Sequence, residues 1–209
     1  MTRPNTRERI LEVALDLFNH DGEAATTTNA IADTLDISPG NLHYHFRTKQ
    51  SLVDALFERF EQRMLALLSD DAPDRIEIDD AWLFLHLVFE TIAEYRFIYR
   101  DLTDLCHRYD GLHRRMRGIL RLAMRTADLM LEALGRNGEM DIDDDARETL
   151  VRTMILVASY WIAFDTVLEP DSEARPDRAA WQVMSLVSPY LEGEARLAFD
   201  QLGRAYRRS

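Results

Sequence analysis

The sequence is poor in several things, and each shortage narrows the field. It has a single cysteine, Cys106, so an intrachain disulfide is excluded, which fits a reducing compartment. That thiol reads as a small buried apolar group, with redox sensing as the alternative. Long apolar runs are also missing. The longest nearly apolar stretch, Met154 to Phe164, would span about 16 Å as a helix, roughly half a bilayer core, and Asp165 closes it. The N-terminus mixes Arg3, Arg7 and Arg9 with Glu8 and Glu12 and carries no apolar export segment. A cytoplasmic chain with no membrane partner is expected. Lysine is nearly absent: Lys49 is the only one, and arginine supplies the rest of the 25 basic residues. Set against 37 acids these leave a net charge of -12, so the surface as a whole cannot wrap a polyanion and any nucleic-acid contact must be local.

Strand signals are scarce too. No sustained alternation of apolar and polar residues occurs, whereas spacing by three and four recurs throughout, which predicts an all-α protein. Ile10, Val13, Ala14, Leu17 and Phe18 form one stripe, opened by Thr6 as N-cap and closed by Gly22. Thr27 or Thr28 can cap a short second helix carrying Ile31, Ala32 and Leu35. After the turn Leu35-Asp36-Ile37-Ser38, Ser38 becomes an N-cap with Pro39 at the first helical position of a third helix running to about Phe46. Thr48 can cap a fourth, about 49–68, striped by Leu52, Leu56, Phe60, Met64 and Leu67. The acidic segment Ser69 to Asp74 reads as a linker, followed by helices at about 79–95, 97–109, 112–134, 144–168, 177–191 and 194–207. Gly135 to Gly138 and Glu169-Pro170-Asp171 punctuate them, and Pro189 should kink or end the penultimate one.

Two short helices joined by a tight turn, the second beginning Ser-Pro, have the helix-turn-helix layout in which the second helix enters the DNA major groove. At about 100° per residue Leu42 and Phe46 share the inward face. Gly40 and Tyr44, flanked by Asn41 and His43, are then offered to a groove roughly 12 Å wide. From Ile37 to Val53 there are Arg47 and Lys49 and no acid. Two histidines in so short a segment invite a metal reading, but no Cys or carboxylate lies between Asp36 and Asp54 to complete a ligand set.

Thr27-Thr28-Asn29-Ala30-Ile31-Ala32, the turn Leu35 to Ser38, and Gly40-Asn41-Leu42-His43-Tyr44-His45-Phe46-Arg47-Thr48-Lys49 together resemble the DNA-binding domain of TetR-family transcriptional regulators over roughly residues 6–60. The resemblance implies an N-terminal three-helix helix-turn-helix DNA-binding domain, residues 1–50, followed by a helical-bundle ligand-binding and dimerisation domain, residues 51–209. It implies a homodimer on a pseudo-palindromic double-stranded operator, released by a small-molecule effector, with no catalytic role and no cofactor. By position, the resemblance implies that Thr28 and Asn29 contact DNA from the second helix, that Ser38, Asn41, His43 and Tyr44 work from the third, and that His45 and Lys49 hold phosphates; Gly40, on the outward face, allows close approach. His43 stands where the family usually has tyrosine, substituting a contact that strengthens on protonation. Asp36 stands where the turn usually has glycine, a residue that tolerates the left-handed conformation less well than glycine does.

The C-terminal two-thirds carry weaker signals. Trp82, His86, Phe89, Tyr99 and Cys106, with Met124, Tyr160 and Phe164 opposite, can line an aromatic pocket for an apolar or amphipathic effector, or simply form core. Val157, Trp161, Trp181, Met184 and Val187 are candidates for the dimer surface on the last long helices, and equally for core. Arg108, Arg114, Arg115, Arg117, Arg121 and Arg125 make a basic stretch that reads as a solvated face paired with acids, with an anionic effector or an auxiliary DNA surface as the sharper readings. Asp104-x-x-His107 and Asp110-x-x-His113 have metal-ligand spacing, but Gly111 interrupts them and no matching Glu-x-x-His occurs. An all-α enzyme or a helical protein-interaction adaptor remain the rival classes; neither a nucleophile–base signature nor paired Glu-x-x-His supports the enzyme.

Overall fold

The structure, a computed structural model, describes residues 5–68, 71, 76–169 and 174–206. The expected linker lies outside them except for Asp71, as do Arg3, Pro170, Asp171 and the last residue of the expected final helix. Eleven α-helices run through the described residues: α1 Thr6–Asp21, α2 Thr28–Thr34, α3 Pro39–His45, α4 Lys49–Leu67, α5 Ile78–Glu94, α6 Arg96–Arg100, α7 Leu102–Arg108, α8 Asp110–Arg136, α9 Asp144–Leu168, α10 Pro176–Val187 and α11 Gly193–Tyr206. No strand occurs among these residues; Met140 and Leu191 form one isolated antiparallel bridge. The all-α expectation holds.

The N-terminal helices follow their caps. Asn5, one residue earlier than expected, caps α1 by accepting from the Arg7 N–H, and the Gly22 N–H closes it on Phe18 O at a φ of 92°. Thr27 caps α2 through the Ala30 N–H at 3.1 Å, and Ser38 caps α3 through the Asn41 N–H at 3.2 Å with Pro39 at the first position. The α2–α3 turn is made by Asp36 at φ 53°, the only non-glycine residue with positive φ among those described. Thr48 and Ser51 cap α4 reciprocally: each backbone N–H donates to the other's hydroxyl. Of the expected α4 stripe, Leu52, Leu56, Phe60 and Met64 are buried and Leu67 is half-buried.

Two expectations are corrected downstream. The helix expected at 97–109 is broken at Asp101 into α6 and α7. Tertiary hydrogen bonds compete with helical continuity here: the Phe97 N–H donates to Asn19 Oδ1, and Arg96 and Arg100 donate to the α1 carbonyl of Asn19. Gly111 does not interrupt a helix; the break falls at Tyr109, and Gly111 lies in the first turn of α8. Pro189 does end α10, in a 3-10 turn at Ser188–Tyr190.

By contact the described residues form two compact units, one of those up to Arg63 with Tyr95–Met116, the other of Met64–Glu94 with those from Arg117 on. In the first, Phe18 packs on Phe97 at 5.4 Å between ring centroids, and Phe60 meets both Tyr95 and Tyr99. In the second, Trp181 stacks on Phe199 at 4.9 Å and 11°, Trp82 meets Trp181, and Phe89 meets Trp161 edge-on at 5.8 Å. By length and composition α9 is apolar enough to cross a membrane, more so than its short uninterrupted run suggested. Leu150, Val151, Met154, Trp161 and Ile162 are nevertheless buried within the chain, as core residues of a helix.

Candidate nucleic-acid interface

α3 turns a single face outward. Leu42 and Phe46 are 2 % and 3 % exposed, and Arg7 lies over the Phe46 ring at 5.0 Å, sealing the inner face. Asn41, His43 and Tyr44 are exposed, Tyr44 to 83 %, an unusual amount for so large a ring. His45, half-buried, supports it edge-on at 5.2 Å. Between α2 and α3 lies an open groove of about 630 Å³ whose walls include Thr28, Asn29, Gly40, His43, Arg47 and Lys49. Of the residues expected to face DNA, Thr28, Asn29, Gly40, His43 and Lys49 line this groove, and Asn41 and Tyr44 are exposed on α3 outside its lining. The Ser38 hydroxyl is committed to capping α3. The Lys49 ammonium is committed too: it donates to Thr26 O at 2.9 Å and pairs with the Glu23 carboxylate at 3.1 Å.

Glu23 is the residue that sequence reasoning missed. It is 0 % exposed and accepts from Lys49, from the Tyr109 hydroxyl at 2.8 Å and from the Arg108 guanidinium. Burial by itself pushes this carboxyl up, but the hydrogen bonds from Arg108, Tyr109 and Lys49 outweigh it and hold the group below its ordinary value. The Tyr109 phenol is pushed up to about 12, by burial first and then by its bond to Glu23. No local signal marks Glu23 in the sequence, since its partners lie 26, 85 and 86 residues away.

The remaining expected residues scatter. Trp82, His86 and Phe89 share one face of α5, where Trp82 and Phe89 meet Trp181 and Trp161. Tyr99 is buried against Phe60, and burial pushes its phenol up. Cys106 is half-buried, and burial raises its thiol. Met124 lines a shallow depression with Arg125, Asp128, Asp144 and Arg147. Tyr160 and Phe164 face outward from α9. Of the residues expected at a dimer surface, Trp161, Met184 and Val187 are buried in their own chain at 4 %, 2 % and 2 % exposure; Val157 and Trp181 are partly exposed. In the basic stretch, Arg108 is bound to Glu23 and Asp104, and Arg115 to Glu61 at 2.8 Å while covering Phe57. Asp104 is thus taken up by arginine, and no group of His, Cys, Asp and Glu suited to a metal occurs among the described residues.

A capped three-helix head with one exposed aromatic-polar face beside a groove defines a helix-turn-helix DNA reader. Comparison with known proteins makes this specific. Residues 10–56 match the family described as bacterial regulatory proteins, tetR family, and residues 59–199 match a family described as bacterial transcriptional repressor. The chain belongs to the TetR family of DNA-binding transcriptional regulators. It is 32 % identical to a TetR-family regulator of Marinobacter aquaeolei VT8 of known structure, over 97 % of this chain and 99 % of that one, with a TM-score of 0.87. It is 48 % identical to the regulator QacR of Staphylococcus aureus over 48 residues, 23 % of this chain and 26 % of QacR. Against UidR of Escherichia coli K12 it is 38 % identical over 61 residues, 29 % of this chain and 31 % of UidR. The matched segment spans about a third or less of these curated relatives.

Proposed function

We propose that the protein is a repressor that binds a pseudo-palindromic operator as a homodimer in the cytoplasm and is released by a small effector. The observation that carries the DNA reading is Tyr44, held outward on a seven-residue helix whose apolar face is fully used inside. Asn41 can bond adenine bidentately, and His43, Tyr44 and Arg47 reach thymine methyl groups or phosphates. A Cβ at Gly40 would meet nothing nearer than Ser38 Oγ at 3.9 Å, so the space there is open to a docking backbone.

The dimer reading rests on α9. Leu156, Tyr160, Phe164, Val167 and Leu168 are all exposed and fall within one arc of the helix, giving an apolar stripe whose natural occupant is the same stripe on a second copy.

The effector reading rests on two orphaned polar atoms. Trp161 Nε1 and His86 Nδ1 are buried without a partner, on α9 and α5, whose rings Trp161 and Phe89 touch. His86 Nε2 lies 3.2 Å from the Glu90 carboxylate, an acceptor, so in the neutral ring Nε2 carries the proton and Nδ1 is left as an acceptor. One donor and one acceptor among aromatic rings suit an apolar molecule bearing a hydroxyl or amide.

Fluorescence anisotropy on DNA from the chain's own upstream region tests the whole. A specific complex at low salt is expected, weakened about 10- to 100-fold by Tyr44→Ala with unchanged thermal stability. Hydroxylated apolar compounds that dissociate the wild-type complex are expected to fail with Trp161→Phe. A folded wild-type dimer that binds no upstream DNA would defeat the reading.

A further inference from the structure

The end of α1 and the loop after it are each held by later residues, the first from α6 and the second from the α7–α8 junction. At the end of α1, Arg100 donates to Phe18 O at 2.9 Å and to Asn19 O at 3.1 Å. One turn further, Glu23 is buried completely and receives Arg108 and Tyr109 from the α7–α8 junction. The same carboxylate receives Lys49 from the first turn of α4, and Lys49 donates onward to Thr26 O. Thr26 immediately precedes Thr27, whose hydroxyl caps α2, the helix that carries Thr28 and Asn29. A chain of hydrogen bonds therefore runs from the α7–α8 junction through one carboxylate to the start of a DNA-reading helix. Arg108 is itself braced, by Asp104 at 2.8 Å and over the Tyr109 ring at 5.1 Å.

The groups that meet the Glu23 carboxylate come from α4 and from the α7–α8 junction. A fully buried carboxylate is costly unless paired, and removing one partner of such a cluster leaves charge uncompensated. The cluster is thus intolerant of displacement: if the junction moves, Arg108 and Tyr109 leave, and the loop must rearrange to rehydrate Glu23 or share Lys49 differently. Lys49, which family position assigns to a phosphate, is held inward by the same group.

We infer that Glu23 is a positioning residue for operator binding, tying Lys49 and the loop that caps α2 to Arg108 and Tyr109, so that the α7–α8 junction sets the placement of α2 without touching DNA. This rests on the operator reading above. It makes Arg108 and Tyr109 control points for affinity that a census of DNA contacts would not find.

The test is a double-mutant cycle on the full chain, reading operator affinity and its salt dependence. Arg108→Gln is expected to weaken binding about tenfold, the scale of one charged hydrogen bond, with the slope of log affinity against log salt unchanged because no phosphate contact is lost. Arg108→Lys should recover part of the loss. Tyr109→Phe, which removes one donated bond and keeps the ring, should weaken binding several-fold and serves if Arg108→Gln does not fold. Adding either change to Glu23→Gln should cost less than the product of the single effects. Binding within twofold of wild type for both single variants, strict multiplicativity with Glu23→Gln, or a salt slope reduced by about 0.9 with Arg108→Gln would each overturn the inference. If wild type binds no operator, the functional reading falls instead.

Discussion

Within each of the two units, rings and arginines share the work in different proportion. The unit carrying α3 is laced by arginines: Arg59 to Glu8, Arg115 to Glu61, Arg108 to Glu23, and Arg96 and Arg100 to the α1 carbonyl of Asn19. Rings pack in both units, Phe18 on Phe97 and Phe60 on Tyr95 and Tyr99 in this one, but in the unit carrying α9 the larger indole rings join the helices, Trp82 on Trp181 on Phe199 and Phe89 on Trp161, with Arg147 bridging to Asp128. Guanidinium bonds are directional and fix orientation; stacked rings mainly supply buried area. A head that must present α2 and α3 to a rigid duplex needs the first. In the unit carrying α9, buried ring area holds the bundle while one helix face stays apolar and exposed.

The largest way to break that contrast is to put charge on the ring-built unit's exposed face. Phe164 and Val167 are 62 % and 84 % exposed, so Phe164→Glu with Val167→Glu should leave the fold of a single chain intact. If the stripe joins two copies, the four buried acids created across the two-fold axis should convert dimer to monomer by light scattering. Operator affinity should then fall by about 100-fold or more, because each half-site must be bound without its neighbour. An unchanged dimer would assign the stripe to some other partner.

A smaller test acts inside the same unit. A Cβ at Gly203 would come 2.5 Å from Trp181 Cη2, and that ring cannot swing aside because it is stacked on Phe199 and met by Trp82. Alanine is the better helix former by about 1 kcal/mol, yet Gly203→Ala is expected to lose about 1–2 kcal/mol net through overpacking. Thermal unfolding should show a drop of about 2–8 °C, with operator affinity unaffected.

The contrast also explains how much could be read beforehand. Caps, turns and the α3 face were legible because their partners lie within four residues: Ser38 on Asn41, Thr27 on Ala30, Leu42 beside Phe46. Burial at Met184 or Val187 and exposure at Phe164 were not legible, since an apolar residue on a helix has the same sequence appearance whether it faces its own chain or a copy. The break at Asp101 and the burial of Glu23 depend on residues 77 or more positions away, except for Lys49. Such bonds leave no periodic trace.

Asp36 offers the mildest test, in a place where local reading and structure agree. At φ 53° an aspartate carries a steric cost that glycine does not, and the residue is exposed, with no contact that would be lost. Asp36→Gly is expected to stabilise the protein by about 0.5–1 kcal/mol, seen as a rise of about 1–4 °C in Tm. It also removes a negative charge from the helix-turn-helix, which within a Debye length of phosphate should tighten operator binding by a small factor at low salt. Asp36→Asn separates the two effects: it keeps a side chain that tolerates the left-handed region and deletes the charge, so it should reproduce the gain in affinity without the gain in stability. If Asn and Gly stabilise equally, the relief comes from charge in the acidic chain and not from the turn, and the backbone at Asp36 is not strained.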